Sequence, residues 1–290
     1  MSELNFIKYN VNDESDITED LVIRLKNIGF EIISESKDYK VTMWACNQCI
    51  MLVSRDNNLP TGISGFGFNS SNAPDGSTHC DTTGMNKFIN KSGHEILTYP
   101  IESFKDNYDN HFTTMNPAGV DVPIEYFAGV VYSTSNKENI NEFNESLNFR
   151  TVKKTDDYTT SVCPQNRFSV MWNTNTQENK IDTLVIKTND IVDVVSKYVA
   201  RGFETSDISE ERLKEIDKKY KKDPQELPPR HVIKGWDLNI GGKAKSYVLE
   251  KSFPELLPKL NVIISQRHNH NGLNEESIKY YENEYGSLTI

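Results

Sequence analysis

The sequence predicts an α+β protein made of four copies of one βαβββ module, and three observations predict it. The stretch Ile181–Glu204 reads as a short apolar strand, an amphipathic helix and a Gly-Phe-Glu turn. That ending returns as Gly29-Phe30-Glu31, Gly93-His94-Glu95, Asn148-Phe149-Arg150 and Gly202-Phe203-Glu204. Apolar runs of strand length flank each copy. A repeat of this period marks one supersecondary unit copied along the chain.

In the best copy, Ile191, Val194, Val195, Tyr198 and Val199 fall at i, i+3, i+4, i+7 and i+8, one face of a helix. Gly202 follows, where a helix C-terminus favours a residue that tolerates a left-handed backbone. In the first copy, a strand over Leu4–Val11 precedes a helix capped by Asp16 or Thr18, with Leu21, Leu25 and Ile28 on one face. Strands are expected at Glu31–Ser34, Lys40–Cys46 and Cys49–Ser54.

The second copy opens with the glycine-bearing strand Gly62–Asn69. A helix is expected over Asp81–Lys91 on the strength of Met85, Phe88 and Ile89. Strands Glu95–Pro100, Asn110–Met115 and Val120–Phe127 follow, the last two joined by the turn Asn116-Pro117-Ala118-Gly119. The third copy has a strand Tyr126–Ser133, a helix with Ile140, Phe143 and Leu147 inward, and strands Thr151–Lys154, Tyr158–Cys163 and Phe168–Asn173. In it Asn148 takes the glycine's place, the other residue common at that cap. The fourth is interrupted by a charged section, Ser206–Arg230, and resumes with strands at His231–Asn239, Lys245–Glu250 and Leu260–Gln266.

Composition narrows the function. A net charge of −10 over 290 residues gives no basic footprint for nucleic acid or anionic membranes. The start, MSELNFIKYN, lacks the basic and apolar regions of a signal peptide, and no apolar run reaches membrane length. Four cysteines do not make a disulfide framework in a chain this long, so a cytoplasmic protein is expected. Cys46 and Cys49 form a lone CxxC on a hairpin rather than at a helix start, which points to reduced thiols flanking a turn. No nucleophile elbow or phosphate-binding loop is present.

Four βαβββ modules resemble the vicinal oxygen chelate superfamily of glyoxalases, 4-hydroxyphenylpyruvate dioxygenase and bleomycin-resistance proteins. Ile181–Glu204 and Thr113–Phe127 (TTMNPAGVDVPIEYF) carry the resemblance. It implies that modules pair into two half-barrel, glyoxalase-like domains. Residues 1–125 form the first, with modules 1–60 and 61–125, and residues 126–267 the second, with the insertion 206–230; 268–290 is a tail.

The resemblance also implies a divalent metal held by a histidine on a module's first strand and a glutamate on its last. The first-strand positions here are Gly65, Gly129 and Thr183, none an imidazole; the last-strand candidates are Glu125 and Gln266. No metal cofactor is therefore favoured. The alternative is an enzyme of glyoxalase or dioxygenase type whose Fe, Mn, Ni or Zn is held by Gln266, His268 and His270, which alternate along an extended chain.

Trp44, Trp172 and Trp236 recur at like places in modules 1, 3 and 4, where they serve either a cup for a flat organic ligand or the core. With Glu125 and Gln266 they make the candidate ligand-binding set. The expected partner is a small organic molecule, bound without the usual metal centre; a protein-interaction scaffold is the further alternative. A homo-oligomer is compatible with the strand-like end Gly286–Ile290, which could complete a sheet in a partner chain.

Overall fold

The computed structural model describes residues 5–12, 19–36, 41–46, 49–59, 61–69, 73–80, 85–90, 93–99, 122, 124–154, 156–163, 168–206, 237–239 and 246–269. The first module holds β1 (Asn5–Val11), α1 (Glu19–Ile28), β2 (Glu31–Ser36), β3 (Val41–Cys46) and β4 (Cys49–Arg55). The second holds β5 (Gly62–Asn69), β6 (Thr78–Cys80), β7 (Met85–Ile89) and β8 (Glu95–Tyr99). The third holds β9 (Ile124–Ser133), α2 (Glu138–Leu147), β10 (Arg150–Lys154), β11 (Tyr158–Val162) and β12 (Ser169–Asn173). The fourth holds β13 (Lys180–Thr188), α3 (Ile191–Ala200), β14 (Asp237–Asn239), β15 (Ser246–Leu257) and β16 (Leu260–Asn269).

These strands form two eight-stranded mixed sheets, in the orders β2-β3-β4-β1-β5-β8-β7-β6 and β10-β11-β12-β9-β13-β16-β15-β14. The second order is the first with every strand moved on by one pair of modules, so the repeat read in the sequence is a repeat of topology. This is the α+β architecture of two glyoxalase-like half-barrels.

The helix ends show why the tripeptide recurs. Gly29, Asn148 and Gly202 have φ of 110°, 55° and 85°. In each case the next residue's amide reaches back five residues: Phe30 to the Leu25 carbonyl at 2.9 Å, Phe149 to Asn144 at 2.9 Å, and Phe203 to Tyr198 at 3.0 Å. That bond is the mark of a helix stopped by a left-handed residue. α3 buries Ile191, Val194, Val195 and Tyr198, while Val199, expected on the same face, is 51% exposed at its edge.

The second module departs from expectation. The helix expected over 81–91 is instead strand β7, antiparallel to β8 with Asn86 opposite Thr98 and Phe88 opposite Ile96. Met85 and Ile89 do not share a buried face: one is buried and the other 57% exposed. An apolar spacing over so few residues suits either structure, and the open edge of β8 decides it. Gly93 keeps a positive φ of 82°, but it closes the turn between β7 and β8, where its amide reaches the Asn90 carbonyl at 2.9 Å. Its tripeptide therefore leads into β8, the module's last described strand, whereas the first and third lead into β2 and β10.

By its internal packing the chain divides into two compact units, Met1–Lys187 with Glu255–Val262, and Thr188–Pro254 with Ile263–Ile290. The first unit packs Phe66 and Phe68 of β5 against Phe168, with ring centroids 5.2 and 6.1 Å apart, and against Phe143 and Phe149. In the second, Tyr198 of α3 meets Phe203 and Phe253 edge-on. No helix among the described residues is long and apolar enough to cross a membrane.

Candidate functional site

On β5, Gly65 lies opposite Lys8 of β1 on one side and Glu95 of β8 on the other. Strands lie about 4.8 Å apart, so Lys8 and Glu95 stand about 10 Å apart at their backbones. Gly65 has no side chain to fill the gap. The Lys8 ammonium therefore crosses over it and donates to Glu95 Oε2 at 2.6 Å, while Lys87 of β7 binds Oε1 at 2.5 Å. Burial pushes the Glu95 pKa up, but the hydrogen bonds and charges of Lys8 and Lys87 outweigh it and hold the carboxyl below its ordinary value.

Glu95 thus opens β8, the last described strand of the second module. Glu125, assigned there from sequence, instead lies half-buried on β9, the first strand of the third module, because the strand expected to end at Phe127 runs on to Ser133. A divalent cation beside Glu95 would face two ammonium groups at bonding distance. Nor can the facing strand supply a ligand: a Cβ on Gly65 would sit 2.4 Å from the Glu95 carbonyl oxygen and 2.9 Å from its Cβ.

The other positions give no better donor set. A Cβ on Gly129 would fall 2.1 Å from the Ser169 carbonyl oxygen. The Thr183 hydroxyl donates to Asp182 at 2.9 Å. Gln266 spends its amide on the entry to α3: Oε1 accepts from the Ile191 amide at 2.8 Å, and Nε2 donates to the Asn189 carbonyl. His268 lies on β16. Trp44 lies on β3, between Ile32 and Met51 in register. Trp236, His270, the strand expected at 110–115, the turn 116–119, the insertion 207–230 and the tail from 270 lie outside the described residues. Among the described residues no three His, Cys, Asp or Glu side chains cluster as a metal site would require. Among the described residues, these positions do not bring together the donors that the resemblance implies.

A second feature lies in the first unit. Tyr132 of β9 and Trp172 of β12 are register partners, their ring centroids 4.9 Å apart, and Phe143 of α2 meets Trp172 edge-on at 5.0 Å. With Phe88 they line a shallow, partly open cleft, rimmed by Asn90, Asn139, Glu142 and Ser146. Trp172 is held by its Nε1–H, which donates to Ser161 Oγ at 3.1 Å. It is the one tryptophan of the sequence-derived set whose side chain the structure describes; it is 1% exposed, packed in the core and forming part of the cleft wall.

Behind the cleft the Asn90–Gly93 turn orders a polar chain. The Asn90 amide oxygen accepts from the His94 backbone N–H at 2.9 Å, which turns its Nδ2 toward the Tyr132 hydroxyl at 3.1 Å. That hydroxyl lies 2.8 Å from His94 Nδ1. Burial lowers the His94 pKa from 6.5 to about 4, leaving a neutral ring at physiological pH.

Sequence reasoning passed over Lys8, Lys87, His94, Glu95 and Tyr132. Two signals were present. His94 replaces the phenylalanine of the other three tripeptides, and 93 follows 29 at a longer interval than the 148 and 202 copies keep. Lys8 interrupts the apolar strand Phe6–Val11.

The sequence matches no protein-family profile and no curated protein. The fold is glyoxalase-like. It is similar to a xylose isomerase-like TIM barrel/4-hydroxyphenylpyruvate dioxygenase fusion protein, with a TM-score of 0.69 and 10% identity over 96% of this chain. The chain spans 51% of that fusion. A mutant of 4-hydroxymandelate synthase from Streptomyces coelicolor is similar at a TM-score of 0.61 and 10% identity, covering 96% of each chain. Catechol 2,3-dioxygenase follows at a TM-score of 0.54 and 9% identity, over 91% of this chain and 87% of its own. At such identity the likeness is one of fold.

Proposed function

We propose that the chain binds a small, flat organic molecule on a vicinal oxygen chelate scaffold and does so without that fold's metal centre. The observation that carries this reading is the cleft walled by Tyr132, Trp172, Phe143 and Phe88. Apolar walls with a few polar groups at the rim are the usual makeup of a small-molecule site. Trp172 is locked by Ser161 and the Phe143 edge, so little side-chain entropy is lost on binding.

The metal-free part of the proposal rests on donor chemistry. Glu95 is neutralised by two lysines, glycine stands at 65 and 129 where a side chain would collide, and the Gln266 amide caps a helix. The fold neighbours named for catechol and for 4-hydroxyphenylpyruvate supply the probes.

Calorimetric titration with each compound in EDTA tests the reading. Catechol is expected to bind with one-to-one stoichiometry in the chelator, and Ser146→Trp, which fills the cleft from α2, is expected to abolish it. Binding that appears only after Fe²⁺, Mn²⁺, Ni²⁺ or Zn²⁺ is added, or that survives Ser146→Trp, would overturn it.

A further inference from the structure

We infer that Cys46 and Cys49 form a redox pair, which the β3–β4 hairpin sets opposite one another and which closes to a disulfide on exchange with a small oxidised thiol such as glutathione disulfide. The pair plays no part in the cleft.

The chain has four cysteines, and the fold brings two of them together. Cys46 ends β3, Cys49 opens β4, and the antiparallel register makes them Cα partners across a two-residue connection. Partners in such a ladder share a face and have Cα atoms about 4.5–5.5 Å apart. Disulfides span about 4.4–6.8 Å between Cα atoms, so the backbone already stands at the separation the bond needs. The other two cysteines are placed elsewhere. Cys80 lies on β6 opposite Met85, at the far edge of the sheet, with β4, β1, β5, β8 and β7 between it and β3. Cys163 follows β11 in the second sheet and is buried.

The pair sits at the end of its sheet. β2 pairs with β3 only as far as Ala45, opposite Glu31, so Cys46 is one residue past the last pair between those strands. Cys49 lies opposite Asn5 in the first pair between β1 and β4. Connections between strands run over the protein surface, which brings the pair within reach of a small molecule. Met51 and Val53 follow Cys49 on the same face of β4, and both are buried. A disulfide at this place staples the rim of a packed face.

The exchange takes two steps. One cysteine, as its thiolate, attacks a sulfur of glutathione disulfide and releases one glutathione, which takes up the proton. The second cysteine attacks the protein sulfur of the mixed disulfide and releases the other glutathione, again with its proton. Two protein thiols and one glutathione disulfide become one protein disulfide and two glutathiones. Excess glutathione reverses both steps, so the thiols stay reduced in a reducing compartment. Since the folded register holds the cysteines opposite one another, folding favours closure, and closure stabilises the fold by the same factor.

The test equilibrates the full chain in EDTA with glutathione buffers of graded ratio and traps remaining thiols with N-ethylmaleimide. It reads the tryptic peptide Val41–Arg55, which carries both cysteines. In oxidising buffer that peptide is expected to lose two hydrogens and take up no maleimide, and to take up two after dithiothreitol. Cys46→Ser and Cys49→Ser, with circular dichroism confirming the fold, are expected to hold one glutathione as a mixed disulfide. The closure constant is expected to be about tenfold greater in the folded chain than in chain unfolded by urea. Three results overturn the inference: a Val41–Arg55 peptide that never loses the two hydrogens, no mixed disulfide in either variant, or equal closure constants in the folded and unfolded chain.

Discussion

Lys8 and Glu95 meet at 2.6 Å across the middle strand of three, and Gly65 between them has no side chain to keep them apart. The glycine is required twice over, once for the lysine to cross and once for β8 to lie close. Gly65→Ala would press a methyl group to 2.4 Å from the Glu95 carbonyl oxygen, a backbone atom that cannot swing aside. We expect a loss of about 1–3 kcal/mol in urea unfolding. Truncating the glutamate as well, in Gly65→Ala with Glu95→Ala, should restore only part of it, because the closest clash is with main chain.

The charged cluster predicts a pH effect. Glu95 is held below its ordinary value in the folded chain by Lys8 and Lys87, so its contribution is whole above about pH 4.5, the unfolded value, and is lost as pH falls through the folded one. Glu95→Gln should therefore be less stable than the unaltered protein at pH 7, and the difference should narrow at pH 3.5. A double-mutant cycle with Lys8→Met is expected to give a coupling of about 1–2 kcal/mol, above the surface range because both side chains are largely covered.

His94 acts in a higher window and with the same sign. Between pH 6.5 and about 4 the unfolded chain takes up a proton that the buried imidazole refuses. Stability should fall by about 1.4 kcal/mol per unit there, or about 3 kcal/mol in all. Comparing urea midpoints at pH 7 and pH 5 for the unaltered chain and His94→Phe checks this. The variant should lack about 2 kcal/mol of the acid-side loss.

Gln266 gives a prediction about scaffold. Its Oε1 satisfies the Ile191 amide, which no carbonyl within α3 can reach, and the bond is buried. Gln266→Leu is expected to destabilise the chain by about 1–2 kcal/mol while leaving catechol binding at the cleft unchanged. A change in catechol affinity beyond twofold, with the fold intact, would contradict that assignment.

What the sequence determined by itself was everything local. A stretch such as Ile191–Gly202 carries its own apolar face and its own stop, because helix periodicity and a left-handed cap depend on residues within about two turns of one another. Three copies of that arrangement, with strands around them, sufficed for the module, its repetition and the fold class. Tertiary structure decided which residues meet. The same Gly-x-Glu pattern at 93–95 ends a hairpin turn rather than a helix, since β7 had a partner strand to pair with. That one change sets Glu95 on β8, within reach of Lys8, 87 residues distant in sequence. It also sets His94 against Tyr132, 38 residues away. Both contacts are made across strands whose order no neighbouring residue encodes. The ion pair, the buried imidazole and the aromatic cleft were for that reason invisible until the sheets were assembled.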